Sequence, residues 1–135
     1  MIVVDASALV DWLLGTAKGP AVADHMKGAG FPHSLDFAHL EVLSALRYGL
    51  NAGQLAAERA ELAVDDLVAT PLELHRAAPF ASRVWDLRAT HTPYDAAYVA
   101  LAEALRAPLV TTDRRLARSK GHRATIVEAG IQRRN

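Results

Sequence analysis

Cysteine is absent from this 135-residue chain, which excludes disulfides, thiolate metal sites and cysteine nucleophiles together. A reducing compartment is compatible with that. Long apolar runs are missing as well: none approaches the roughly 20 residues that span a bilayer. The opening Met1-Ile2-Val3-Val4-Asp5 carries neither a basic leader nor a cleavage site. The expectation is a cytoplasmic protein with no membrane segment. Net charge is lacking too, since 15 Lys and Arg balance 15 Asp and Glu. No repeat, linker or low-complexity tract divides the chain, and 51% hydrophobic residues are enough for a substantial core. Residues 1–135 are therefore expected to form one domain, the last few as a flexible basic tail.

Several familiar chemistries are also missing. There is no Gly-x-Ser-x-Gly turn and no Gly-rich phosphate loop ending in Lys-Ser/Thr. The six histidines, at 25, 33, 39, 75, 91 and 122, include no His-Glu-x-x-His pair, and each reads as a surface or packing residue. A receiver-like signalling module, the alternative with an open α/β sheet and Mg²⁺ at its strand ends, needs a lysine near its phosphoacceptor. Lys18, Lys27 and Lys120 are the only lysines, and none directly follows an apolar strand. A dehalogenase-like phosphatase wants Asp-x-Asp, where Asp5-Ala6-Ser7 offers one acid.

What is present alternates between strand and helix signals. The pattern predicts strands at 2–4, 31–35, 71–74, 108–111 and 124–127. It predicts helices over 8–14 (capped by Ser7 or Asp5), from Pro20, over 36–51 (with Asp36 as N-cap), 54–68, 78–88 and from Thr92-Pro93 to about 106, then a basic turn from Asp113. Such alternation implies an α/β fold with a mostly parallel sheet, because parallel neighbours need crossover helices. Ligands of open sheets bind beyond the carboxyl ends of the strands, where Asp5 and Asp113 fall.

Charge is unevenly distributed. From Arg114 onward there are seven basic residues (Arg114, Arg115, Arg118, Lys120, Arg123, Arg133, Arg134) against Glu128 alone, leaving eight basic against 14 acidic residues before it. An acidic pocket beside a basic flank suits a metal-dependent enzyme acting on a polyanion; a solvated tail gives the same counts.

Four acids in four segments stand against apolar surroundings: Asp5, Glu41, Asp95 and Asp113. Burying a carboxylate is costly unless a cation or hydrogen bonds compensate it, so their convergence would call for a divalent metal. Each also has an ordinary role available. Asp5 and Asp113 are placed to cap helices, Asp95 is third in a Thr92 capping arrangement, and the stem of Glu41 is placed to pack on Tyr48. Asp11 and Asp36 are further acids near this set.

Val3-Val4-Asp5-Ala6-Ser7-Ala8-Leu9, Leu40-Glu41-Val42-Leu43-Ser44-Ala45-Leu46, Tyr94-Asp95-Ala96-Ala97-Tyr98-Val99-Ala100-Leu101-Ala102 and Leu109-Val110-Thr111-Thr112-Asp113 follow one another in that order. Together they resemble PIN-domain ribonucleases, specifically the VapC toxins of toxin–antitoxin pairs. The resemblance implies a three-layer fold with a five-stranded parallel sheet in order 3-2-1-4-5. It implies a metal-dependent endoribonuclease using Mg²⁺ or Mn²⁺ held by Asp5, Glu41, Asp95 and Asp113, with Ser7 and Thr112 beside them. Arg114, Arg115 and Arg118 would meet RNA phosphates. A VapB-like antitoxin and a homodimer are the implied partners, and Trp12, Leu13, Leu14, Leu40, Leu43, Leu46 and Leu50 offer either core or a groove for a partner helix.

Overall fold

The computed structural model describes residues 1–130. Its five strands are β1 (Val3–Val4), β2 (His33–Leu35), β3 (Glu73–His75), β4 (Leu109–Thr111) and β5 (Ile126–Glu128). All pair in parallel, in the order β3-β2-β1-β4-β5. Seven helices connect or flank them: α1 (Ala6–Leu14), α2 (Gly19–Met26), α3 (Ala38–Asn51), α4 (Ala57–Ala69), α5 (Ala81–Asp86), α6 (Pro93–Leu105) and α7 (Arg114–Ala117).

The central strands are apolar on both faces because helices cover both. Val3, Val4, Leu35, Leu109 and Val110 are fully buried. Helix α1 packs on α2, α3 and α4, while α6 packs on α5 and lies along β1, β2 and β4. The run Ala96 to Ala102 in α6 is buried throughout, and its small residues let the helix sit close to the sheet. Glu103 near its end takes a bidentate pair from Arg83 of α5 at 2.8 and 3.0 Å, fastening α5 to α6.

Several boundaries differ from the sequence reading. Asp5, not Ser7, caps α1: its backbone is extended and its Oδ1 accepts the Ala8 N–H at 2.9 Å. Asp36 does not cap α3, whose N-cap is Phe37 without a side-chain bond; the Asp36 N–H instead donates to His75 O at 2.8 Å, continuing the sheet. Residues 51–55 form a turn through Gly53 at φ 70°, with the Gln54 and Leu55 N–H groups on Gly49 O, so α4 starts at Ala57 rather than Gln54. The helix expected over 78–88 is a 3-10 turn at Ala78–Phe80 followed by the short α5. The expected basic tail, including Arg133 and Arg134, lies outside the described residues.

Candidate active site

Every strand points the same way, so the segments leaving β1 and β4 emerge on one rim. Asp5 follows β1 directly and is 4% exposed. Burial would make its charge costly, and three donors offset part of that cost. Ser7 Oγ donates to its Oδ1 at 2.7 Å, Ala8 N to the same oxygen at 2.9 Å, and Thr111 Oγ1 to its Oδ2 at 2.6 Å. Desolvation still wins: the carboxyl is raised to about 6, with the nearby Asp95 charge adding to it.

The same hydroxyls order the turn after β4. Ser7 Oγ accepts the Thr112 N–H at 3.1 Å, and Thr111 Oγ1 accepts the Asp113 N–H at 3.0 Å. The expected hydroxyl neighbour Thr112 therefore contributes its backbone; Thr111 supplies the hydroxyl. Side chains alternate along a strand, so of two consecutive threonines only one turns toward Asp5. Lys18 Nζ donates to Thr112 O at 3.2 Å and ties this turn to the start of α2. Asp113 itself caps α7, its Oδ1 accepting from Arg115 N at 2.9 Å and Leu116 N at 3.4 Å.

Asp95 sits in the first turn of α6, whose N-cap Thr92 accepts the Asp95 N–H at 3.2 Å. Its carboxylate is half-buried and raised by desolvation and then by Asp113, while Arg115 lowers it. Glu41 is raised by burial and by Asp95. Tyr98 Oη donates to Glu41 Oε1 at 2.8 Å. The stripe expected to turn Glu41 inward is not buried along its length: Ala45 and Tyr48 are exposed, so Tyr98 rather than Tyr48 is the partner. Phe37 packs edge-on against Tyr98 and Tyr94, holding the start of α3 to α6.

Asp95 is thus the electrostatic centre of the set, acting on Asp5 and Glu41 and acted on by Asp113. None of the four acids forms a salt bridge among the described residues. Among those residues no three acidic or histidine side chains already enclose a cation position. Mutually repelling carboxylates held in no salt bridge among the described residues, with Arg115 only partly offsetting the charge of Asp95, fit a hard divalent cation. Mg²⁺ in particular is usually held by one or two carboxylates and keeps several waters, so a closed cage is not required.

The basic residues divide. Arg115 acts on Asp95 and lines a cavity of about 460 Å³ beside it. Arg114 reaches instead toward Glu128 at 3.9 Å, and Arg118 is exposed one turn later. Asp11 holds Thr16 Oγ1 at 2.7 Å, and Asp36 is exposed at the end of β2. The histidines are not uniformly surface groups: His33 Nδ1 meets His75 Nε2 at 2.8 Å, and His91 is buried with its Nε2 unpartnered.

Residues 2–121 match the PIN domain family. The chain belongs to that family, in its VapC ribonuclease branch. It is 40% identical over 126 residues to Ribonuclease VapC12 of Mycobacterium tuberculosis, covering 93% of this chain and 97% of that protein. Ribonuclease VapC1 of the same organism is 39% identical over 126 residues, covering 88% and 90%, and Ribonuclease VapC3 is 36% identical over 118 residues, covering 87% and 86%.

Proposed function

We propose that this chain is a single-domain, cytoplasmic endoribonuclease dependent on Mg²⁺ or Mn²⁺, the toxin of a type II toxin–antitoxin module. The observation that carries the chemistry is the coupling of Asp95 to Asp5, Glu41 and Asp113 on one rim of the sheet, with no salt bridge to any of them among the described residues.

When bound, the cation supplies Lewis acidity and positive charge at the phosphate. Asp5, Asp95 and Asp113 would hold it. Asp5 is kept in place by Ser7, Thr111 and the Ala8 N–H. Glu41, steadied by Tyr98, would help hold the cation or orient the attacking water and take its proton. Water attacks phosphorus, the bond to one ribose oxygen breaks, and the leaving oxygen is protonated by solvent. Arg115 draws the neighbouring phosphate toward the rim, and Arg114 and Arg118 extend that attraction along the strand.

The partner surface is the outer side of α3. Leu40, Leu43 and Leu50 are exposed, and Leu43, Leu46, Leu50 and Val64 line a groove of about 360 Å³ between α3 and α4. Leu13 and Leu46 are buried and Trp12 and Leu14 half-buried, so the candidate stripe divides between core and groove. A VapB-like antitoxin helix fits this groove, and homodimerisation covers further apolar surface.

The test is end-mapping of RNAs incubated with purified protein, with and without Mg²⁺ or Mn²⁺. Discrete metal-dependent cuts that vanish in Asp95→Asn support the reading. Equal cutting by a folded Asp95→Asn protein, or phosphorylation by acetyl phosphate without RNA cleavage, overturns it.

A further inference from the structure

Beside Asp95 lies a cavity whose lining includes Arg88, Thr90, His91, Arg115 and Ser119. We propose that it is a nucleotide subsite, holding the base and ribose of the single RNA nucleotide adjacent to the scissile phosphate, with Arg88 and Arg115 meeting its phosphate and His91 reading its base. The proposal rests on the ribonuclease reading and adds the recognition element to it.

Three observations carry it. First, charge: Arg88 and Arg115 are in no salt bridge among the described residues, although an acid stands in the same cavity. Arg88 is fixed rather than free, lying 4.6 Å over the Trp85 ring and donating to Trp85 O at 2.9 Å. Two guanidiniums outside any salt bridge, one of them close enough to act on Asp95, match a phosphodiester running along that wall.

Second, an orphaned group: His91 is 8% exposed, its Nδ1 meets Thr90 Oγ1 at 2.8 Å, and its Nε2 is enclosed without a hydrogen-bond partner among the described residues. The other ring nearby, His122, meets it edge to face at 5.7 Å and supplies no hydrogen bond. A buried ring nitrogen left unpaired is destabilising. No described residue uses it, and the ring that carries it lines the cavity.

Third, size and chemistry. About 460 Å³ exceeds what a phosphate needs and falls within the usual range of small-ligand sites. The wall combines cations with neutral donors and acceptors from Thr90, His91 and Ser119. That is the lining expected where an unstacked base is read by hydrogen bonds, the usual mode for single-stranded RNA.

The experiment uses Asp5→Asn protein, which leaves every cavity residue in place, titrated with AMP, GMP, CMP and UMP while the His91 ring resonances are followed by NMR, with inorganic phosphate as control. One nucleotide is expected to bind about tenfold or more tighter than the rest, a result needing no cavity variant. His91→Leu is expected to abolish that preference, and Arg88→Gln with Arg115→Gln to weaken all four alike. Equal binding of all four, a phosphate response identical to the nucleotide response, or a preference surviving His91→Leu overturns the subsite. RNA cleavage by the parent is scored separately. Cleavage without nucleotide preference removes the subsite alone, whereas nucleotide preference without metal-dependent cleavage removes the nuclease reading and leaves the pocket.

Discussion

Tyr98 donates its phenolic hydrogen to Glu41 Oε1 at 2.8 Å, joining two side chains 57 positions apart in sequence and binding α6 to α3 at the rim. This bond lowers the Glu41 pKa against the burial that raises it. Tyr98→Phe keeps the ring packed on Phe37 and removes only the donor. Glu41 then titrates higher, so the acid limb of the rate profile moves to higher pH. A hydrogen bond to a charged group is worth about 1.5–3 kcal/mol, so kcat should fall by about tenfold or more with KM nearly unchanged. A pH–rate profile of parent and variant decides it.

Asp5 links the site to stability. Its folded carboxyl is raised from 3.8 to about 6, so between these values the folded state binds more protons than the unfolded state. Metal-free protein should therefore be most stable, as far as Asp5 is concerned, at or below about pH 4, lose that contribution as pH rises to about 6, and not regain it above. Two pKa units set an upper limit of about 3 kcal/mol. Asp5→Asn removes the burdened charge but turns an amide toward a hydroxyl donor, so a rise of a few degrees in metal-free Tm at pH 7.5 is expected, roughly 1 kcal/mol. The same variant should not cleave RNA. Thermal melts at pH 4.5 and 7.5 settle the sign.

Divalent cation should reverse that penalty. At about 100 times its Kd, Mn²⁺ adds about 2.7 kcal/mol to the parent. Asp5→Asn and Asp95→Asn should melt at the same temperature with or without Mn²⁺, and EDTA should return the parent to its metal-free Tm. A parent indifferent to Mn²⁺ argues against the metal reading.

Thr111 and Thr112 should behave differently despite adjacency. Thr111→Val removes a hydroxyl that donates to Asp5 Oδ2 and accepts the Asp113 N–H, and kcat should drop by about tenfold or more, with Thr111→Ser restoring it. Thr112→Val leaves the Thr112 N–H on Ser7 and its carbonyl on Lys18, so the loss should be smaller. Single-turnover cleavage rates of the three variants make the comparison.

On the partner side, Leu43→Asp or Leu50→Asp places a charge on an exposed position of α3 without touching the core. Antitoxin affinity should fall by about tenfold or more while RNA cleavage by the isolated toxin persists. Calorimetric titration with the cognate antitoxin, beside a cleavage assay, provides the readout.

The strand and helix alternation was readable because Val3-Val4 ends at Asp5, Leu109-Val110 follows Pro108, and the Ala96–Ala102 run lies between Asp95 and Glu103. The strands hold only two or three residues each, so their ends shifted by a residue or two wherever tertiary bonds, such as Asp36 N–H on His75 O, decided the boundary. The four acids stood out because each interrupts apolar sequence. Their supports did not. Thr111 and Thr112 are indistinguishable until strand direction is fixed, and Tyr98 looks like an ordinary core aromatic until α3 is laid beside α6. His91 reads as a surface or packing residue like the other histidines; its burial shows only once the turn carries its N–H onto Leu87 O and brings His122 edge-on to its ring.

The parallel order β3-β2-β1-β4-β5 leaves a gap beside β1 until the last quarter of the chain has been made. A ribosome that has reached residue 100 has delivered three of the four acids but not β4, Thr111 or Asp113, and Asp5 then lacks its strongest donor. A nascent chain at that stage therefore lacks the strand that closes the rim beside β1 and the acid that follows it, so the four carboxylates are united only as the last segment is delivered.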